Sequence, residues 1–243
     1  PGRFDGLVEE AKAVQAAGFA TVLVSGITLF EQAYLMRGLD ALLADLVADP
    51  EFFTGLIEKL KTLMLAYAER LLAEVGPYVD VLVTGDDLGM SAGPMMSPEC
   101  YRRMLQPHHA DLLSEIKRRI AGKIFFHSCG DIYRLLGGLV EAGVDIVNPV
   151  QVAAGEMADT ARLKREFGAR LSFCGAIDTR WALPCGSVAD VRAEVRRRVA
   201  DLAPGGGYVA ASVHCLQPDV PPENIVAFCD EVRGAGKYPV APR

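Results

Sequence analysis

The sequence predicts an α/β fold of the TIM type: a (β/α)8 barrel lacking its N-terminal strands, read as one domain over residues 1–243. Short runs rich in Val, Ile and Phe alternate with amphipathic helical stretches along the whole chain. The runs are mostly apolar on both faces, as strands of a covered parallel sheet are. Polar, reactive residues follow nearly every run: Asp86 and Asp87 the second, His127 and Cys129 the third, Asn148 and Gln151 the fourth, Asp178 the fifth and His214 the sixth. Only a closed ring gathers so many strand ends at one mouth, which favours the barrel over a doubly wound open sheet.

Taken in order, a first helix ends at the Ala17-Gly18-Phe19 joint and leads into the strand Ala20–Ser25. Pro50 to Glu74 reads as a long helix, with Phe52, Phe53, Leu56, Ile57, Leu60, Leu63, Met64, Ala66 and Tyr67 on one stripe. Val79–Thr84 is the second strand. Ser97-Pro98 opens a helix with an N-cap and a proline at the first helical position. Pro107 should kink or split that helix, because it removes a donor and clashes with the preceding turn. Lys123–His127 is the third strand, and the Glu141-Ala142-Gly143-Val144 joint leads into the fourth, Val144–Asn148. Leu171–Cys174 and Gly207–Ser212 follow. Gly205-Gly206-Gly207 reads as a turn, since a phosphate cradle would open a helix and this run precedes a strand. Pro221-Pro222-Glu223 starts the last helix, giving six strand–helix units where a complete barrel has eight.

Apolar residues make up 51% of the chain and charged residues 23%, enough for a large core and against disorder. Lys and Arg total 25 against 31 Asp and Glu, which argues against a nucleic-acid binder. No run approaches the roughly 18 to 20 apolar residues of a membrane span. The start, PGRFDGLVEEAK, has no basic stretch followed by an apolar one, so no signal peptide and a cytoplasmic location are expected. The absence of an initiator Met at Pro1 points to a processed or incomplete chain. Six scattered cysteines suit buried thiols or metal ligands in a reducing compartment better than a disulfide framework.

The sharpest motif is His127-Ser128-Cys129-Gly130. Residues i and i+2 at a strand end share a side, so an imidazole and a thiolate can converge on one ion, and Zn²⁺ accepts that N/S pair. The plain alternative is a buried Cys and a hydrogen-bonded His. A second such pair, His214-Cys215, follows the last strand. Adjacent residues on an extended segment face opposite ways, so only one of these two is expected as the third ligand. His108 and His109, inside a helix, read as surface or packing residues. Gly85-Asp86-Asp87-Leu88-Gly89 offers two carboxylates for acid–base work or substrate orientation, or else for capping backbone donors. Met90, Met95 and Met96 line an apolar pocket or fill core. Asp178 contacts substrate or caps a helix. Arg196-Arg197-Arg198 is most simply a solvated face.

The stretches GDDLGMSAGPMMSPECYRRMLQPHHADLL, KIFFHSCGDIYRLLGGLVEAGVDIVNPVQ, LSFCGAIDT and GGGYVAASVHCLQPDVPPENIVAF together resemble the uroporphyrinogen decarboxylase superfamily, in particular its cobamide-dependent methyltransferase-like branch. The resemblance covers the chain from about Val79 to the C-terminus. It implies a TIM-type barrel with its site in the central cleft. In that branch a His-x-Cys motif and a later Cys bind zinc, which activates a thiol to accept a methyl group from a methyl-corrinoid protein. His127 and Cys129 match the first two ligands. The place of the third falls on His214, with Cys215 one residue on, and His214 is put first. Uroporphyrinogen decarboxylases lack the His-x-Cys-Gly motif.

The expectation is a methyltransferase with one zinc per chain, moving a methyl group between a small substrate or thiol and a corrinoid (cobalamin-type) protein. Asp86 and Asp87 would be catalytic, and Met90, Asn148, Gln151 and Asp178 would surround the substrate. A small-molecule substrate, the corrinoid protein and a second copy of the chain are the expected partners. Tetrapyrrole decarboxylation and a non-catalytic, metal-stabilised binding domain are the alternatives.

Overall fold

A computed structural model describes residue 2 and residues 4–240; Pro1, Arg3 and 241–243 lie outside the described residues. Among the described residues, eight strands occur in chain order: β1 (Val22–Val24), β2 (Val81–Gly85), β3 (Gly89–Met90), β4 (Gly93–Pro94), β5 (Lys123–His127), β6 (Ile146–Asn148), β7 (Ser172–Ile177) and β8 (Tyr208–Ser212). The main sheet runs β1-β2-β5-β6-β7-β8, with β1-β2, β2-β5, β6-β7 and β7-β8 paired parallel, while β3 and β4 form a separate antiparallel ribbon. Each of the six expected strands is present. The fold is the α/β class of the TIM barrel, with six strands of its kind. The chain divides into two compact units: one comprises the residues up to Asp87 with Met96–His127 and Gly138–Asp145, the other Leu88–Met95, Ser128–Gly137 and the residues from Ile146 onward.

In the first unit β2 pairs with β1 and β5, and the register sets Gly85 opposite His127. A Cβ at position 85 would lie 2.2 Å from the His127 carbonyl oxygen, so only glycine fits there. The helix Pro50–Val75 starts with the Asp49 carboxylate accepting from the Phe52 N–H, and it packs on the helix Gln106–Lys117. Its buried stripe is Phe53, Ile57, Leu60, Ala68, Leu71, Leu72 and Val75. Phe52, Leu63 and Ala66, expected on that stripe, are exposed: the buried face is narrower than the apolar one, and these three fall outside it. Leu105 breaks the helical path between Pro98–Met104 and Gln106–Lys117, as Pro107 dictates. Ser97 caps the first of these by accepting from the Cys100 N–H.

In the second unit β7 is flanked by β6 and β8. The helix Val188–Leu202 begins with a capping box of Ser187 and Asp190, and it packs on the helix Pro222–Ala235. Their core joins Ile177, Leu183, Val191, Val195, Val199, Val220 and Ala227. Arg198 corrects the reading of Arg196-Arg197-Arg198 as a solvated face. Its position falls on the stripe 191/195/198/199/202, so it is buried, and its guanidinium bonds Glu194, Thr160 and the Ala158 carbonyl. Gly205, Gly206 and Gly207 all have positive φ and form the turn into β8.

Covered faces hold for the middle strands and fail at the ends. Val22 and Val24 in β1 are 57% and 75% exposed and Val209 in β8 is 57% exposed, because these strands stand first and last in the sheet order. Among the described residues, no helix is long and apolar enough to cross a membrane.

Candidate metal centre and its carboxylate surroundings

β5 ends at His127, and the next three residues are fixed by their own backbone and hydroxyl bonds. The Ser128 N–H donates to the Asn148 carbonyl at 2.8 Å, the Ser128 hydroxyl accepts from the Leu88 N–H, and the Gly130 N–H donates to Gln151 Oε1 at 2.7 Å. This turn places Cys129 beside His127. One donor atom each from His127, Cys129 and His214 lies within 4.8 Å of the others. Cys215, the alternative third ligand, is exposed and outside this group. The backbone of His214 is left-handed, with φ of 64°, so the extended geometry assumed for residues 214 and 215 is not the one adopted. The Ser212 hydroxyl donates to the His214 carbonyl at 2.7 Å and helps hold this turn.

The two aspartates after β2 differ sharply. Asp86 is 1% exposed. Its carboxylate accepts from the backbone N–H groups of Leu29 (3.1 Å) and Glu31 (2.8 Å), and it pairs with His109 Nε2 at 2.7 Å. The other ring nitrogen of His109 meets the Tyr101 hydroxyl at 3.1 Å. Burial, and then the Asp86 charge, push the Tyr101 phenol far above its ordinary range. Asp87 is about one-third exposed, with Oδ1 3.9 Å from His127 Nε2, an ion-pair distance too long for a hydrogen bond.

Through the Glu31 N–H, Asp86 also fixes the first turn of the helix Phe30–Arg37. The Glu31 carboxyl is held above its ordinary value, first by burial and then by Asp87 and Asp86, with His127 opposing. Tyr34 bonds Glu31, and its phenol is pushed up to about 12 by burial and by the Glu31, Asp87 and Asp86 charges.

The family model of uroporphyrinogen decarboxylase (URO-D) matches residues 7–235. The chain belongs to the URO-D family. This URO-D chain is 25% identical over 194 residues to proteins named uroporphyrinogen decarboxylase from Coxiella burnetii, covering 78% of the chain and 49% of theirs. A protein of the same name from Thioalkalivibrio sulfidiphilus is 29% identical over 149 residues, covering 59% of the chain and 40% of that protein. The chain therefore spans about half the length, or less, of the curated relatives it matches. Among solved structures, a methyltransferase from Methanosarcina mazei has the same fold, with a TM-score of 0.71 and 17% identity, over 95% of this chain and 64% of that one.

The other expected residues of the URO-D chain are placed as follows. Asn148 Nδ2 donates to the Cys174 carbonyl, and Gln151 holds Gly130, so each spends one polar atom on local structure. Asp178 accepts from the N–H groups of Arg180, Trp181 and Ala182 and so caps a short helix. Met90 is exposed, Met95 half-buried and Met96 buried. Of the two readings of His108 and His109, surface or packing, burial selects packing: they are 7% and 2% exposed, and His109 sits in the Asp86 network. Its helix carries the signal, because His109, Leu112, Leu113 and Ile116 share one buried face at helical spacing. Glu31 and Tyr34 have no comparable local signal.

The donor set fits a borderline-soft divalent ion. Two imidazoles and one thiol are the ligands Zn²⁺ takes in three-ligand sites that keep a position for substrate, at about 2.0–2.3 Å each. Among the described residues, no Asp or Glu carboxylate, which would suit a harder ion, is in the group.

Proposed function

We propose that this chain carries the site of a zinc-dependent methyltransferase of the URO-D family, moving a methyl group between a small substrate or thiol and a corrinoid protein. The observation that supports it is the convergence of His127, Cys129 and His214. A zinc ion on those residues supplies Lewis acidity toward a thiol or an ether oxygen near neutral pH.

The rest is the work of the chain's own side chains. Asp86, with its oxygens committed to Leu29, Glu31 and His109, holds the strand end and the Phe30–Arg37 helix in place. Asp87 is the carboxylate that orients substrate or takes up a proton, since it borders His127 and retains exposure. Met90, Asn148, Gln151 and Asp178 supply the substrate contacts. The corrinoid arrives on a partner protein. A second copy of the chain as partner and a cytoplasmic location belong to the same reading.

Elemental analysis of protein purified without added metal or chelator tests it. About one zinc per chain, lost in His127→Ala and Cys129→Ala, is the expected result. Well-folded wild-type protein without metal would overturn it. The name of the curated relatives favours tetrapyrrole decarboxylation as a second reading, and a porphyrinogen turnover assay separates the two.

A further inference from the structure

We infer that Thr179 and Ser212 are positioning residues of the metal centre: their hydroxyls hold the two carbonyls that flank the His214 Cα, and so set the left-handed backbone from which its imidazole reaches the donor set. The inference rests on the zinc reading and adds to it what keeps the third ligand in place.

The direction in which a side chain leaves the chain is set first by its backbone. Because peptide units are planar, φ follows from the plane before a Cα and ψ from the plane after it. His214 has φ of 64°, in a region that few residues other than glycine adopt and that persists where the surroundings hold it. Each of its two planes has a holder. The carbonyl before it, that of Val213, accepts from the Thr179 hydroxyl at 2.8 Å. The carbonyl after it, its own, accepts from the Ser212 hydroxyl at 2.7 Å. Val213 is anchored as well, since it is buried and its N–H donates to the Ile177 carbonyl at 2.8 Å.

Thr179 can act in this way because its own place is fixed. β7 and β8 stay in register from Phe173 opposite Tyr208 to Ile177 opposite Ser212, which delivers the residues after β7 beside the turn after β8. Asp178 accepts from the N–H groups of Arg180, Trp181 and Ala182, so the backbone is held on both sides of Thr179. Loss of either hydroxyl frees a peptide plane to relax toward the right-handed or extended regions that histidine favours. The imidazole then swings away from His127 and Cys129. Groups that orient a metal ligand in this manner typically contribute about 10–100-fold in affinity.

The test measures zinc affinity of the full chain by competition with a chromophoric chelator. Thr179→Val keeps the shape and removes the hydroxyl, and it should weaken zinc binding at least about tenfold. Thr179→Ser, which keeps the hydroxyl, should restore it, and Ser212→Ala should weaken it as Thr179→Val does. In a His214→Ala background Thr179→Val should change nothing further, because a positioning residue acts only through the residue it positions. In cobalt-loaded protein Thr179→Val should lower the d–d band intensity, as exchange of a protein ligand for water does, while the Cys129 thiolate band remains. If Thr179→Val does not fold, Ser212→Ala carries the same cycle. Unchanged affinity in both variants, or an equal loss with and without His214, overturns the inference and leaves the zinc reading intact. Wild-type protein that binds no zinc overturns the zinc reading and this inference with it, and that outcome is read from the wild type alone.

Discussion

Two polar groups built on neighbouring strand ends have opposite fates. Around Asp86 the carboxylate's partners lie within the fold: the Leu29 and Glu31 N–H groups, His109 and, through His109, Tyr101, with Asp86, Leu29, His109 and Tyr101 deeply buried. Around His127, Cys129 and His214 the ligand atoms converge while the residues stay half-buried or exposed, and one stands on left-handed backbone. The first arrangement is what burial demands of polar groups, since an unpartnered one costs about 1–3 kcal/mol. The second brings three accessible ligand atoms toward one point. Polar residues at a strand end are therefore not equally informative about chemistry: a buried, internally bonded group points to architecture, and a convergence of accessible ligand atoms points to a candidate site.

Removing the centre of the satisfied network should have the largest effect. Asp86→Ala strands the buried His109 and the Leu29 and Glu31 N–H groups and should cost about 3–5 kcal/mol, measured by denaturant melts of metal-free protein. A cost below about 1 kcal/mol would mean that the network contributes little.

The donor set should show the reverse pattern, unchanged without metal and sensitive with it. At a hundredfold excess of zinc over Kd, wild type should gain about 2.7 kcal/mol, and His214→Ala should lose most of that gain while Cys215→Ser keeps it. A loss with Cys215→Ser and not with His214→Ala would reassign the third ligand. Tyr101→Phe is a finer probe. It removes one bond to His109 and should cost about 1 kcal/mol with no change in zinc content.

The smallest effect concerns pH. Glu31 has a folded value above its ordinary 4.5, so between those values the native state holds more protons than the unfolded chain. Its contribution is favourable at low pH and is lost as pH rises through that window. Glu31→Gln should therefore become relatively more stable than wild type as pH rises from about 4.5, seen in paired melts of metal-free protein. A constant difference across that range would show that Glu31 titrates normally.

Much of the scaffold was legible in the sequence because its signals are local. The six strands are compact apolar runs, and Ser97-Pro98, Pro107, Gly143 and Pro222 act on their immediate neighbours. His127 and Cys129 were legible for the same reason, being two residues apart. His214-Cys215 was legible as a second His–Cys pair at a strand end, but the preference for His214 came through the family resemblance, since no local rule joins it to a motif 85 residues earlier in the numbering. Glu31 and Tyr34 were not legible. Asp86 reaches Leu29 across 57 positions, and polar pairing over such a span leaves no periodic trace. For His109 the residue type left surface and packing both open, and its place on the apolar stripe decided for packing.

Gly89 and Gly130 carry a consequence for how such sequences change over time. A Cβ on Gly89 would come within 2.6 Å of the Cys129 carbonyl oxygen, and one on Gly130 within 2.3 Å of the Gly89 carbonyl carbon. The two backbones touch with no room for any side chain. The GDDLG and HSCG segments are thus one evolutionary unit written in two places. A substitution in either glycine shifts the partner segment, and with it the cysteine between them. Homologous lineages should accordingly keep both glycines together or lose them together, along with the ligand set that they frame.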